Sequence, residues 1–155
     1  IQLLIGGKKM LTTFKSTINK LPEGMQVMTE AGGFKILFDE PEKMGGTNQG
    51  INPMNALLSV LGACQAIVAS MFAKQFKIEY SDFHLEVEGD MDMRGIMQKA
   101  EVRTGFQEIR FKMHFKSNNS KQELEEFAKF IEKNCPISDS LAHGVKLINQ
   151  GVAID

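Results

Sequence analysis

The amino-acid sequence predicts an α+β fold, antiparallel strands around one long buried helix, and three observations carry that reading. Two stretches alternate apolar and polar side chains with the period of a half-buried strand. In the first, Phe83, Leu85 and Val87 oppose His84, Glu86 and Glu88; in the second, Ile109, Phe111, Met113 and Phe115 oppose Arg110, Lys112, His114 and Lys116. Between the opening strands and these two lies INPMNALLSVLGACQAIVASMFA (51–73), which carries no charged side chain. A helix apolar nearly all round must be wrapped, by a sheet or by a partner subunit. Finally, SKQELEEFAKFIEKNC (120–135) has the apolar stripe of an amphipathic helix in Leu124, Phe127, Phe130 and Ile131.

The elements follow in order. Residues 9–18 alternate unevenly and meet the turn-like NKLPEG. MQVMTEAGGFKILFDE (25–40) reads as two short strands around Gly32 and Gly33, which gives a small antiparallel sheet. PEKMGGTNQGINP (41–53) is a loop feeding the long helix, with Asn52 as its N-cap, Pro53 in its first turn and an end near Lys74. Asn55, Ser59, Gln65 and Ser70 within that helix, and the lack of aromatic anchors on both flanks, favour burial in protein over burial in lipid.

The two alternating stretches are acidic and basic on their outward faces, so they should pair side by side. The polar connection between them, 90–104, is expected to be mobile. Ser120 and Glu123 form a capping box at the start of the amphipathic helix. Pro136 cannot continue that helix, so the chain turns at Cys135. A short second helix should end near Gly144, and KLINQGVAI (146–154) should return as a final strand.

Composition narrows the function. The 155 residues suit a single domain spanning 1–155, with residues 1–9 expected to be a processed end or cloning remnant. Lys and Arg total 18 against 19 for Asp and Glu, a net charge of -1, so no field of one sign favours nucleic acid or an anionic membrane. The apolar run before Gly6 is too short for a signal peptide, and the expected location is cytoplasmic, with no membrane partner. The ten methionines suit adaptable core packing, with Met44, Met54 and Met71 candidates to line a cleft. EGDMD (88–92) lacks the spaced ligands of a calcium loop.

There are two cysteines, and neither belongs to a CxxC motif. Cys64 sits mid-helix on the face of Leu57, Leu61, Val68 and Met71, where packing alone would account for it. Cys135 precedes Pro136 at a helix junction, where backbone N–H groups from Ile137 onward can stabilise a thiolate. His84 and His114 fall on outward strand faces and read as solvated side chains. Only His143 is expected near the Cys135 thiol. Asp139 is expected to cap the second helix. A pair of thiols raises a redox reading, because a sulfenic acid needs a resolving thiol nearby before it oxidises further.

The run NPMNALLSVLGAC (52–64), then GFQEIRFKMHF (105–115), then NCPISDSL (134–141) closely resembles the OsmC/Ohr superfamily, the osmotically inducible and organic hydroperoxide resistance proteins. The likeness covers about residues 45–155. It implies an intertwined homodimer whose long central helices pack together within antiparallel sheets, with active sites at the subunit interface. It further implies peroxiredoxin-like thiol chemistry: Cys64 attacks an organic hydroperoxide, Cys135 resolves the sulfenic acid, and a dithiol such as a lipoyl protein reduces the disulfide. No metal, flavin or haem is called for. The family's peroxidases add a glutamate, near the positions of Met54 and Asn55 here, and an arginine from the opening strands. Here the first arginine is Arg94, leaving Lys15 or Lys20 as the cations of that region. A thiol on an apolar helix without a cation should be hard to ionise. The resemblance therefore leaves two expectations: an organic hydroperoxide reductase, or an OsmC-like protein that binds a small apolar or reactive ligand in the dimer cleft.

Overall fold

The computed structural model describes residues 11–154, which form two compact units meeting in sequence at Pro53 and Met54. The first is a three-stranded antiparallel meander of β1 (Thr17–Lys20), β2 (Val27–Ala31) and β3 (Phe34–Phe38). β2 and β3 join through Gly32 and Gly33 at φ 58° and 83°, the positive pair a two-residue hairpin turn demands. Uneven alternation in residues 9–18 yields only the short, fully exposed β1, with residues 11–16 outside any strand and residues 9 and 10 outside the described chain.

Past β3 the loop is organised by Asp39, 1% exposed. Its carboxylate accepts from the Thr47 hydroxyl at 2.6 Å and from the N–H groups of Glu40, Thr47 and Gln49 at 2.8, 3.0 and 3.1 Å. The Thr47 hydroxyl, ahead of the three N–H groups, holds this carboxyl down to about 2. Gly46 fits there because a Cβ would lie 1.8 Å from the Glu40 carbonyl oxygen.

Helix α1 (Pro53–Phe72) leads into the second unit. Asn52 precedes it, and its amide donates to Glu40 at 2.8 Å. β4 (Tyr80–Met91) and β5 (Phe106–Ser117) form a two-stranded hairpin, paired side by side as the charge pattern implied, in an antiparallel register that sets Glu86 opposite Lys112 and Glu88 opposite Arg110. Arg110 reaches Glu88 at 2.9 Å, Asp90 at 2.6 Å and Glu108 at 2.7 Å.

The connection expected to be mobile is built instead. Asp92 caps a short helix α2 (Met93–Ile96) and grips the Arg94 guanidinium at 2.6 Å, while buried Gly95 packs under the Val102 and Arg103 carbonyls. α3 (Lys121–Asn134) opens with the expected capping box, and α4 (Pro136–His143) follows directly.

The core gathers where α1, α3 and the hairpin meet. Leu61, Val68 and Ala69 of α1 pack with Ile78, Phe127, Ile131 and Cys135, and the inward strand residues Phe83, Val87, Ile109, Phe111, Met113 and Phe115 lie against them. Phe83 stacks on Phe115 at 4.4 Å, and Phe72 meets Phe130 edge-on at 5.0 Å.

Two expectations need correction. Met71, expected on the buried face with Val68, is 61% exposed, as is Ile67, because within this chain only one side of α1 meets the core. Residues 146–154 form no strand: strands need a hydrogen-bonded neighbour, and none pairs with this segment among the described residues.

Candidate active site

The fold brings the two cysteines together. Cys64 lies on the fourth turn of α1, and Cys135 at the junction where α3 ends and α4 begins. Their side chains lie close enough that each alters the other's ionisation, Cys135 favouring the protonated Cys64 and Cys64 favouring a thiolate at Cys135. Cys135 is wholly buried, Cys64 partly so, and both are free thiols.

The junction is built by its sequence. Pro136 ends α3 and supplies a first α4 residue with no N–H to satisfy. Cys135 then takes the N-cap position: its sulfur accepts from the Ser138 N–H at 3.4 Å. Asp139, expected to be the cap, pairs with His143 at 3.1 Å on the exposed side of α4. His143, expected near the thiol, is thereby accounted for at the surface, since a one-turn spacing places it over Asp139 rather than over the helix start.

These contacts set opposite tendencies. Burial pushes the Cys64 thiol up, the neighbouring Cys135 adds to this, and the Ile137 N–H opposes both. Burial also disfavours a Cys135 thiolate, but the Ser138 hydroxyl, the Ser138 N–H, the Cys64 thiol and the Ile137 N–H together bring it below the ordinary thiol value. Both directions are those the sequence implied. The groups that move Cys64 are burial, Cys135 and the Ile137 N–H, and none is a cation. Lys20 directs its ammonium to the Leu21 carbonyl and Lys15 is exposed.

A cleft of about 470 Å³ has Leu57, Leu61, Ile109 and Leu141 in its walls and is lined by Ser138, the residue that donates to Cys135, though by neither cysteine. Met54, where family peroxidases place the region of their glutamate, lines it as well, and Arg103 stands at its rim.

Sequence reasoning missed Gln65. It is wholly buried beside Cys64, and its Nε2 donates to the Ser138 Oγ at 3.1 Å. The available signal was a carboxamide next to a cysteine on a helix with no charge. His84 and His114 do face outward, and cross-strand pairing stacks their rings 4.6 Å apart with planes 6° from parallel. Stacked rings do not converge on a common ion, and among the described residues no group of three or more His, Cys, Asp or Glu could hold a metal.

The fold and this cysteine pair can be set beside known proteins. A family model described as OsmC-like protein matches residues 46–148. A hydroperoxide reductase of Mycoplasma pneumoniae is 31% identical over 108 residues, 70% of this chain and 72% of that protein. One from Mycoplasma genitalium is 24% identical over 139 residues, 90% of this chain and 87% of that protein. The crystal structure of an OsmC-like protein from Mycoplasma pneumoniae superposes with a TM-score of 0.76 at 27% identity, covering 88% of this chain and 91% of that one. With its α+β architecture, its central helix and its matched residues, this chain belongs to the OsmC-like protein family.

Proposed function

We propose that the protein is a thiol-dependent peroxidase that reduces organic hydroperoxides and serves the oxidative stress response. The observation that carries this is the meeting of Cys64 and Cys135, two thiols brought from separate helices to where each alters the other's ionisation. The hydroperoxide reductases to which the chain is similar support the same class of substrate.

In this reading Cys64, the more accessible sulfur, is peroxidatic. It attacks the terminal peroxide oxygen: an S–O bond forms, the O–O bond breaks, and the departing alkoxide takes the proton the thiol gave up. Cys135 then attacks the Cys64 sulfenic acid, forming the S–S bond and expelling hydroxide, which is protonated to water. A dithiol such as a lipoyl protein returns both sulfurs to thiols and is itself oxidised. The cleft lined by Leu57, Leu61 and Leu141 receives the alkyl chain. The working unit is a cytoplasmic homodimer, in which the exposed Val60, Ile67 and Met71 of α1 are covered by the second copy.

One observation favours a second reading. Cys64 is raised by burial, and among the described residues no cation offsets this, which suits an OsmC-like protein that holds a small apolar or reactive ligand without efficient turnover. Mass spectrometry of the reduced protein after brief exposure to equimolar cumene hydroperoxide separates the two. A Cys64–Cys135 disulfide, absent in Cys64→Ser and Cys135→Ser and slower to form with hydrogen peroxide, supports the peroxidase. Two unmodified thiols sink it.

A further inference from the structure

A buried glutamine adjoins the thiol pair, and nothing in the chemistry above uses it. Gln65 is 0% exposed, and its side chain divides into two unlike ends. Nε2 donates to the Ser138 Oγ at 3.1 Å, while Oε1 is buried with no hydrogen-bond partner among the described residues. Leaving a carbonyl unpaired in the core is a standing cost that a methionine of similar shape would not incur. The Ser138 contact is where this side chain does something that packing does not need.

What that contact does follows from counting protons. A serine hydroxyl has one proton to give and lone pairs to receive. Nε2 occupies a lone pair of the Ser138 Oγ, so the serine proton must point elsewhere, and the Cys135 sulfur, whose thiolate the Ser138 side chain favours, is the acceptor this leaves for it. The Ser138 N–H reaches the same sulfur at 3.4 Å, so one residue supplies Cys135 with two donors. Turned the other way, with Oε1 facing Ser138, the carboxamide would draw the serine proton off the sulfur.

We propose that Gln65 is a positioning residue, which, by donating to Ser138, fixes the serine hydroxyl proton on Cys135 and keeps that sulfur ready to attack Cys64. The chemical consequence rests on the peroxidase reading. A ready Cys135 captures the Cys64 sulfenic acid as a disulfide, with hydroxide leaving, before a second peroxide converts it to sulfinic acid. Gln65 acts on the partition between those two fates.

The test separates the contact from the activity. In a Cys64→Ser background Cys135 is the sole thiol, and its ionisation is followed by far-ultraviolet thiolate absorbance against pH, with no peroxide present. Gln65→Met, Gln65→Asn and Ser138→Ala should each raise the midpoint enough to lower the thiolate fraction near neutrality about threefold to tenfold. Because Gln65 works through Ser138, the Gln65→Met, Ser138→Ala double variant should show no more than the Ser138→Ala effect. A folded Gln65 variant with an unmoved midpoint overturns the proposal, as do additive effects in the double variant. An unmoved midpoint in Ser138→Ala overturns it from the other end of the contact. With both cysteines present and excess cumene hydroperoxide, Gln65→Met should raise the ratio of Cys64 sulfinic acid to Cys64–Cys135 disulfide. Failure of the wild-type protein to form any disulfide would count against the peroxidase reading alone, since the titration does not depend on it.

Discussion

Helices α1 and α3 press on the same core and solve the problem of burial in opposite ways. α3 keeps Phe127 and Ile131 at 0% exposure and turns Glu125, Glu126, Lys129 and Lys133 to solvent, so its pattern closes within one chain. α1 buries Leu61, Val68 and Ala69 yet leaves Val60, Ile67 and Met71 in contact with water. An apolar pattern states which side chains avoid water; it does not state which surface covers them. Where one stripe suffices, sequence and single-chain structure agree, and where the whole circumference is apolar the sequence asks for more surface than one chain supplies.

The comparison can be broken most sharply at α3. Phe127→Ala opens a cavity beside Phe76 and Phe115 and should cost about 3–5 kcal/mol, read by chemical denaturation. An effect below that of an exposed substitution would mean the core is centred elsewhere. On α1, Ile67→Lys should halve the solution mass measured by light scattering while the core within each chain stays intact. A dimer of unchanged mass would show that this face is not the one the second copy covers. The capping box is a smaller lever: Ser120→Ala should lower stability by about 1 kcal/mol without touching thiol chemistry.

The smallest effect belongs to acid solution and to the first unit. Asp39 has its folded pKa lowered from 3.8 to about 2, so the stability it lends is complete above the unfolded value and is lost as pH falls from there through about 2. Asp39→Asn should flatten that acid limb, as followed by hydrogen exchange in the 39–51 loop. An unchanged limb would show that Thr47 does not act through the carboxylate.

The parts of this architecture that sequence periodicity could announce were those built from local rules. The β4–β5 pairing followed from alternating faces with opposite charges, and the α3 start followed from Ser120 and Glu123. The Gly32–Gly33 hairpin needed only two residues able to take positive φ. The two cysteines were legible as candidates, and the resemblance to a known family paired them. What was illegible depended on partners far away in sequence. Residues 146–154 are rich in strand-forming apolar side chains and have no ladder to join among the described residues. Asp139 looked like a cap because carboxylates usually are, whereas the junction had already given that place to a sulfur. Gln65 read only as a polar interruption of an apolar helix, since the Ser138 that explains it arrives with α4.

That sulfur cap ties two equilibria into one. The Ser138 N–H that opens α4 is held by Cys135, the atom that an S–S bond would claim. Electron transfer and helix fraying therefore share a thermodynamic cycle: whatever tightens the first turn of α4 around the reduced thiol makes the pair harder to oxidise by the same free energy. Amide exchange at Ser138 then serves as a gauge of oxidation state, readable at a single backbone position with no label on either sulfur.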